Sequence, residues 1–152
     1  MASLLFWPFV RRPLRGASSP PTLLVADDDP RVRALLEGYL SELGYPTVSA
    51  SDGTAVLRLL IRGRNLHRGD PGHIDAVVAD VEMSGRSGID ILRTVRENHW
   101  PVAVVLTSSF LQEHLRAEAL RLGAAAVLDK PLSFPRLRRA LAGLEEPAPA
   151  VS

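Results

Sequence analysis

Residues 23–30 read LLVADDDP: four apolar residues, three consecutive aspartates, then proline. Adjoining carboxylates repel one another, so this arrangement calls for compensating positive charge. A hard divalent cation supplies it, because such ions take carboxylate oxygens as ligands. Three further apolar runs also end in a polar side chain. DAVVAD ends in Asp80, VAVVLT ends in Thr107, and AVLDKP delivers Lys130 ahead of Pro131. Together these types offer oxygen ligation of a hard cation, with a hydroxyl and an ammonium beside it. Taken singly they are ordinary. Asp29 before Pro30 fits a helix cap with proline in the first turn. Asp80, Thr107 or Lys130 alone would be an unremarkable loop, turn or surface residue. Their joint arrival depends on the elements that carry them.

Those elements alternate. Apolar runs at Thr22–Ala26, Thr47–Ala50, Ile74–Ala79, Pro101–Leu106 and Ala125–Leu128 predict five strands. Helical spacing predicts five helices between and after them. The first covers Arg31–Leu43, with Val32, Leu35, Leu36, Tyr39, Leu40 and Leu43 inward and Gly44 as its stop. The second is capped by Ser51 or Asp52, runs through Ile61, and turns Val56, Leu59 and Leu60 inward. Gly88–Asn98, Gln112–Leu122 and Phe134–Leu144 follow. The strands are nearly unbroken apolar runs rather than in-out alternations, as suits a parallel sheet covered on both faces. Right-handed crossovers then give a doubly wound α/β fold, flavodoxin-like, with strand order 2-1-3-4-5. In such sheets ligands bind beyond the carboxyl ends of the strands at the switch point. Strands one and three are neighbours in that order, so Asp27 and Asp28 are expected beside Asp80.

Composition narrows the classes. The 152 residues suit one domain, and 46% apolar content is enough for one packed core. A net charge of +1 gives no general attraction to nucleic acid, and no direct nucleic-acid contact is expected. The absence of cysteine excludes disulfides and thiolate chemistry and fits a cytoplasmic placement. No apolar stretch reaches the roughly 20 residues that cross a bilayer. Residues 1–21 read as a leader outside the domain. Its Phe6, Trp7 and Phe9 lie near Arg11, Arg12 and Arg15, but membrane contact there is not expected. Residues 22–144 form the domain, and 145–152 read as a solvated tail. His67, His73, His99 and His114 lack ligand spacing and read as surface residues. Arg136, Arg138 and Arg139 read as a solvated helix face, with an acidic partner as the sharper alternative. The basic loop 62–73 reads as a tolerated insertion or a contact site.

VADDDPRVR, AVVADVEMSGRSGIDIL, VVLTSS and VLDKPLS, in this order and spacing, carry a family resemblance. Residues 22–144 are similar to the receiver domain of two-component response regulators. The resemblance implies a Mg2+ site and an aspartyl-phosphate chemistry. Asp28 and Asp80 would bind Mg2+ directly and Asp27 largely through water, with the backbone carbonyl of Glu82 completing the set. Asp80 would accept a phosphoryl group from a sensor histidine kinase or a histidine phosphotransfer protein. Thr107 and Lys130 would bind the phosphoryl oxygens. The resemblance also implies a cis Lys130–Pro131 bond and an output surface on helix four, strand five and helix five. The partner at that surface is not implied. With little chain left after Leu144, a stand-alone receiver is expected. It would be a phosphoacceptor rather than an enzyme.

Three positions depart from the family pattern. Val127 stands where an aromatic residue is usual, three positions before the lysine. A valine sweeps out little volume, so output would rely on loop movement or on partner selection by the phosphate itself. Ser84 replaces a frequent proline, which predicts a more mobile loop, and Glu82 adds an acid at the rim. Two alternatives stay open. One is a receiver-like binding module that works without phosphorylation. The other is an aspartate-nucleophile phosphohydrolase of the haloacid-dehalogenase type, which places its nucleophile on strand one rather than strand three.

Overall fold

The computed structural model describes residues 20–145. The expectations for the leader and the tail fall outside the described residues, apart from their innermost positions. Ten elements follow in chain order: β1 (Leu23–Ala26), α1 (Pro30–Glu42), β2 (Thr47–Ala50), α2 (Gly53–Gly63), β3 (Ala76–Asp80), α3 (Gly88–Glu97), β4 (Ala103–Ser108), α4 (Glu113–Arg121), β5 (Ala126–Asp129) and α5 (Phe134–Glu145). The strands form one sheet in the order β2-β1-β3-β4-β5, and every pairing is parallel. The doubly wound architecture is therefore the one the sequence predicts.

Side chains alternate across the sheet with a period of two, so each strand feeds both faces. Leu23, Val25, Ala76, Val78 and Val105 meet Leu36 and Leu40 of α1 and Leu137 and Leu141 of α5. Leu24, Ala26, Val77, Ala79, Val104 and Leu106 meet Val56, Leu60, Ile89, Leu92 and Val95 on the other face. Each fully buried aliphatic side chain contributes on the order of 1.5–3 kcal/mol of transfer free energy. Local signals fix the helix ends. The Asp29 carboxylate accepts from the Arg31 amide at 2.9 Å, and that of Asp52 from the Ala55 amide at 2.7 Å. Ser87 and Asp90 cap each other's amides at the start of α3. Gly44 ends the α1 region in the left-handed conformation, with φ 98°, where glycine carries no steric penalty.

Two expectations shift. Strands three and four each start two residues later than the apolar runs indicate and run one and two residues further, respectively, toward their carboxyl ends. Pro101 has no amide to give the ladder, whereas Asp80 pairs with Thr107 and Ser108 with Asp129. Hydropathy stops at a polar side chain, but backbone pairing does not. Leu35 is 60% exposed rather than inward. It stands with Val32, Leu36, Pro131, Leu132 and Phe134 around a hollow of about 320 Å3.

Candidate functional site

The carboxyl ends of β1, β3, β4 and β5 meet at one rim. The Lys130 ammonium donates to Asp27 Oδ2 at 2.8 Å and to Asp80 Oδ2 at 2.9 Å. Asp27 is fully buried and Asp80 nearly so, whereas Asp28 is exposed. Each of the three aspartates offers an oxygen within 4.8 Å of the other two. Backbone amides orient the two buried carboxylates: Asp29 donates to Asp27 Oδ1 at 2.9 Å, and Glu82 to Asp80 Oδ1 at 3.0 Å. The Arg33 guanidinium, one turn into α1, holds the Asp27 carbonyl at 2.6 Å. Thr107 is buried beside Asp80 in register, and its carbonyl accepts from the Val81 amide at 2.8 Å. The Lys130–Pro131 bond is cis.

Electrostatics explains the lysine. Burial alone would lower the ammonium pKa. Hydrogen bonds and charge from Asp27 and Asp80 outweigh that cost and hold it above its ordinary value. Three carboxylates face one ammonium, so the rim keeps an excess of negative charge. A divalent cation bound by hard oxygens fits that donor set. Magnesium takes oxygens at about 2.0–2.1 Å, so opposite ligands lie about 4.2 Å apart, and the three carboxylates offer oxygens that all lie within 4.8 Å of one another. Asp27, Asp28 and Asp80 are the side chains that could hold it. Glu82 is exposed at the rim and is fixed to Asp80 through its amide.

Close packing sets the position of Asp80. A Cβ on Gly88 would lie 2.7 Å from the Asp80 carbonyl oxygen, so α3 can start this near the strand end only with glycine there. The loop between them is tied down. The Ser84 carbonyl accepts from the Gly53 and Arg86 amides, each at 3.1 Å. The mobility expected from the missing proline is thus countered by backbone bonds to α2. On the β4 side, Phe110 is 75% exposed and its amide donates to Ser108 Oγ at 3.2 Å.

Arg116 of α4 escapes a reading of the sequence, because its partners come from another element. Its guanidinium donates to the Val127 carbonyl at 3.3 Å and to Asp129 Oδ1 at 2.6 Å. It therefore grips the strand that ends in Lys130, at the position where the usual aromatic is absent. Arg96 likewise donates to the carbonyls of Leu122 and Gly123 and secures the end of α4. His73 also departs from expectation. Its side chain is 17% exposed and contacts Asp75 Oδ1 through Nε2 at 3.1 Å. The other ring nitrogen is buried without a hydrogen-bond partner.

Residues 23–142 match the model of the response regulator receiver domain family. The chain belongs to that family. The receiver is 30% identical over 127 residues to the sensor protein EvgS of Escherichia coli, covering 84% of this chain and 10% of EvgS. It is 32% identical over 113 residues to the transcriptional regulatory protein AruR of Pseudomonas aeruginosa, covering 74% of this chain and 44% of AruR. The chain thus spans a tenth to under a half of these curated relatives. Among solved structures, the response regulator TrrA of Thermotoga maritima in complex with Mg2+-BeF superposes with a TM-score of 0.68 at 26% identity. That match covers 82% of this receiver and 98% of TrrA. Receivers of this family are phosphoacceptor modules of two-component systems that interact with histidine kinases or phosphotransfer proteins. They bind Mg2+ at an acidic pocket. No helix among the described residues is long and apolar enough to cross a membrane.

Proposed function

We propose that this receiver accepts a phosphoryl group on Asp80 and signals through changed protein contacts. The observation that carries the reading is the Asp80 carboxylate, bonded to Lys130 and bracketed by Asp27 and Asp28 within 4.8 Å. The donor would be a phosphohistidine on a sensor kinase or phosphotransfer protein. An Asp80 carboxylate oxygen forms the new P–O bond as the P–N bond breaks, the bonding pair stays on the ring nitrogen, and a proton on the other ring nitrogen lets the imidazole leave neutral. Lys130 already spans Asp27 and Asp80, and it neutralises charge on the phosphoryl oxygens as they arrive. The Thr107 hydroxyl, in register with Asp80, binds one oxygen of the product. Bound Mg2+ would supply further charge neutralisation and orientation, held by Asp27, Asp28, Asp80 and the Glu82 carbonyl. That TrrA, similar in fold, is in complex with Mg2+-BeF supports a Mg2+ site here.

The product adds about −1.5 to −2 charges beside a buried carboxylate. Lys130 must divide its two bonds anew, and β5 and the β4–α4 loop move with it. The α4–β5–α5 face carries this change to a downstream protein. Arg116 couples α4 to β5 where Val127 offers no ring to swing. On this reading the receiver works in the cytoplasm as a phosphoacceptor module that signals through protein contacts rather than through turnover of a substrate.

Incubating the native chain with a small phosphodonor and Mg2+, followed by intact mass, tests the reading. A gain of one phosphoryl group is expected. No gain by folded protein would leave the binding module that works without phosphorylation, which Val127 favours.

A further inference from the structure

Three arginines fall within one exposed turn of α5. Leu137 and Leu141 turn α5 toward the core, which leaves Arg136, Arg138 and Arg139 exposed on its outer side. None of the three forms an ion pair among the described residues. Three arginines on the other face of the sheet are committed instead: Arg93 to Glu118, Arg96 to the end of α4, and Arg116 to Asp129. Glu37 and Glu42 of the neighbouring α1 form no ion pair with the α5 arginines either. Arg138 and Arg139, with Pro135 and Ala142, line an open groove of about 460 Å3 between α5 and α1. Tyr39 and Phe134 also line it, stacked with ring centroids 4.2 Å apart and planes 11° from parallel. The Tyr39 hydroxyl donates to the Phe134 carbonyl at 3.3 Å, which fixes the pair in place.

We propose that this groove docks an acidic segment of a partner protein. Two unpaired guanidiniums present planar, forked donors that match carboxylates in bidentate geometry. The aromatic pair gives apolar side chains of the same segment a rigid surface at low entropic cost. Small or short side chains at Pro135 and Ala142 leave the groove open. A nucleic acid fits less well. Its backbone needs a line of basic groups over several phosphates, whereas these arginines occupy one turn of a chain with net charge +1.

The proposal does not depend on chemistry at Asp80, so its test omits any phosphodonor. The full chain is titrated at low salt against a fluorescein-labelled Glu- and Leu-rich dodecapeptide, read by anisotropy. The Arg138→Glu/Arg139→Glu double variant is expected to weaken binding by about tenfold or more. Arg62→Glu/Arg64→Glu changes net charge equally at the end of α2, on the other face, and is expected to weaken it by less than about threefold. Equal loss in both variants reduces the effect to bulk charge and overturns the proposal. So does absence of binding, or tighter binding of an oligothymidine of matched charge. Amide shift mapping on the native protein makes the same decision without a variant. Shifts centred on residues 134–142 support the groove, and shifts centred on the loop 62–73 overturn it.

Discussion

Asp75 and Asp80 bracket one strand, β3, and their surroundings differ. Asp75 Oδ2 accepts from the Thr22 amide at 2.8 Å, and its Oδ1 faces Arg68 at 3.0 Å and His73 at 3.1 Å. The protein's own donors saturate that carboxylate. Asp80 shares one ammonium with Asp27 and has one amide of its own, and Asp28 makes no hydrogen bond among the described residues. Asp75 is half-buried where Asp80 and Asp27 are buried, and of the two rims the carboxyl-end rim holds more acid than the fold neutralises. Saturation marks structure, and the unmet charge marks the rim where, on the proposed function, a cation and an incoming phosphoryl group would act.

Substitutions at the two rims should therefore separate labelling from stability. The largest effect belongs to Asp80→Asn, which should abolish phosphoryl labelling by intact mass while circular dichroism stays native. Lys130→Ala comes next. It leaves Asp27 and Asp80 buried and uncompensated, so without Mg2+ it should cost about 3 kcal/mol in urea unfolding. Added Mg2+ should recover part of that loss, because the cation replaces the missing charge. Asp75→Asn should cost about 1–3 kcal/mol, with labelling unchanged; lost labelling there would erase the contrast between the rims. Arg116→Ala is the smallest, at about 0.5–1 kcal/mol for a partly exposed pair. Its informative readout is faster amide exchange across α4, with little change in exchange at β1 or β3.

The sign of one pH effect follows from Lys130. Its folded-state pKa lies above its ordinary value, near 10.5. Its pairing therefore stabilises the fold fully below about pH 10.5, and that contribution fades as pH rises through the folded-state value. From neutral pH upward, a native-minus-Lys130→Ala stability difference that holds until strong alkali is the expected profile.

Much of this was legible in the sequence, for identifiable reasons. Parallel strands buried on both faces leave continuous apolar runs, so the sheet could be read from LLVA, AVVAD and VVLT, and its order came from the doubly wound pattern. The site residues sit where those runs stop, which made Asp27, Asp28, Asp80, Thr107 and Lys130 visible together. What could not be read are bonds between side chains far apart in sequence. Lys130 partly neutralises Asp27 and Asp80 itself, a pairing that residue spacing does not announce. Arg116 on Asp129 and His73 on Asp75 are hidden for the same reason. Leu35 kept helical spacing yet lies outside the buried stripe, because α1 presents only a narrow face to the sheet.

The central claim is that unmet negative charge at the carboxyl-end rim binds Mg2+. Thermal melts with and without saturating Mg2+ test it most directly, run on the native chain, Asp28→Ala and Asp75→Asn. At 100 times the dissociation constant, binding adds about 2.7 kcal/mol to the folded state. The account predicts a rise of several degrees for the native chain and Asp75→Asn, and none for Asp28→Ala. An equal rise in all three proteins, or no rise in the native chain, would contradict it.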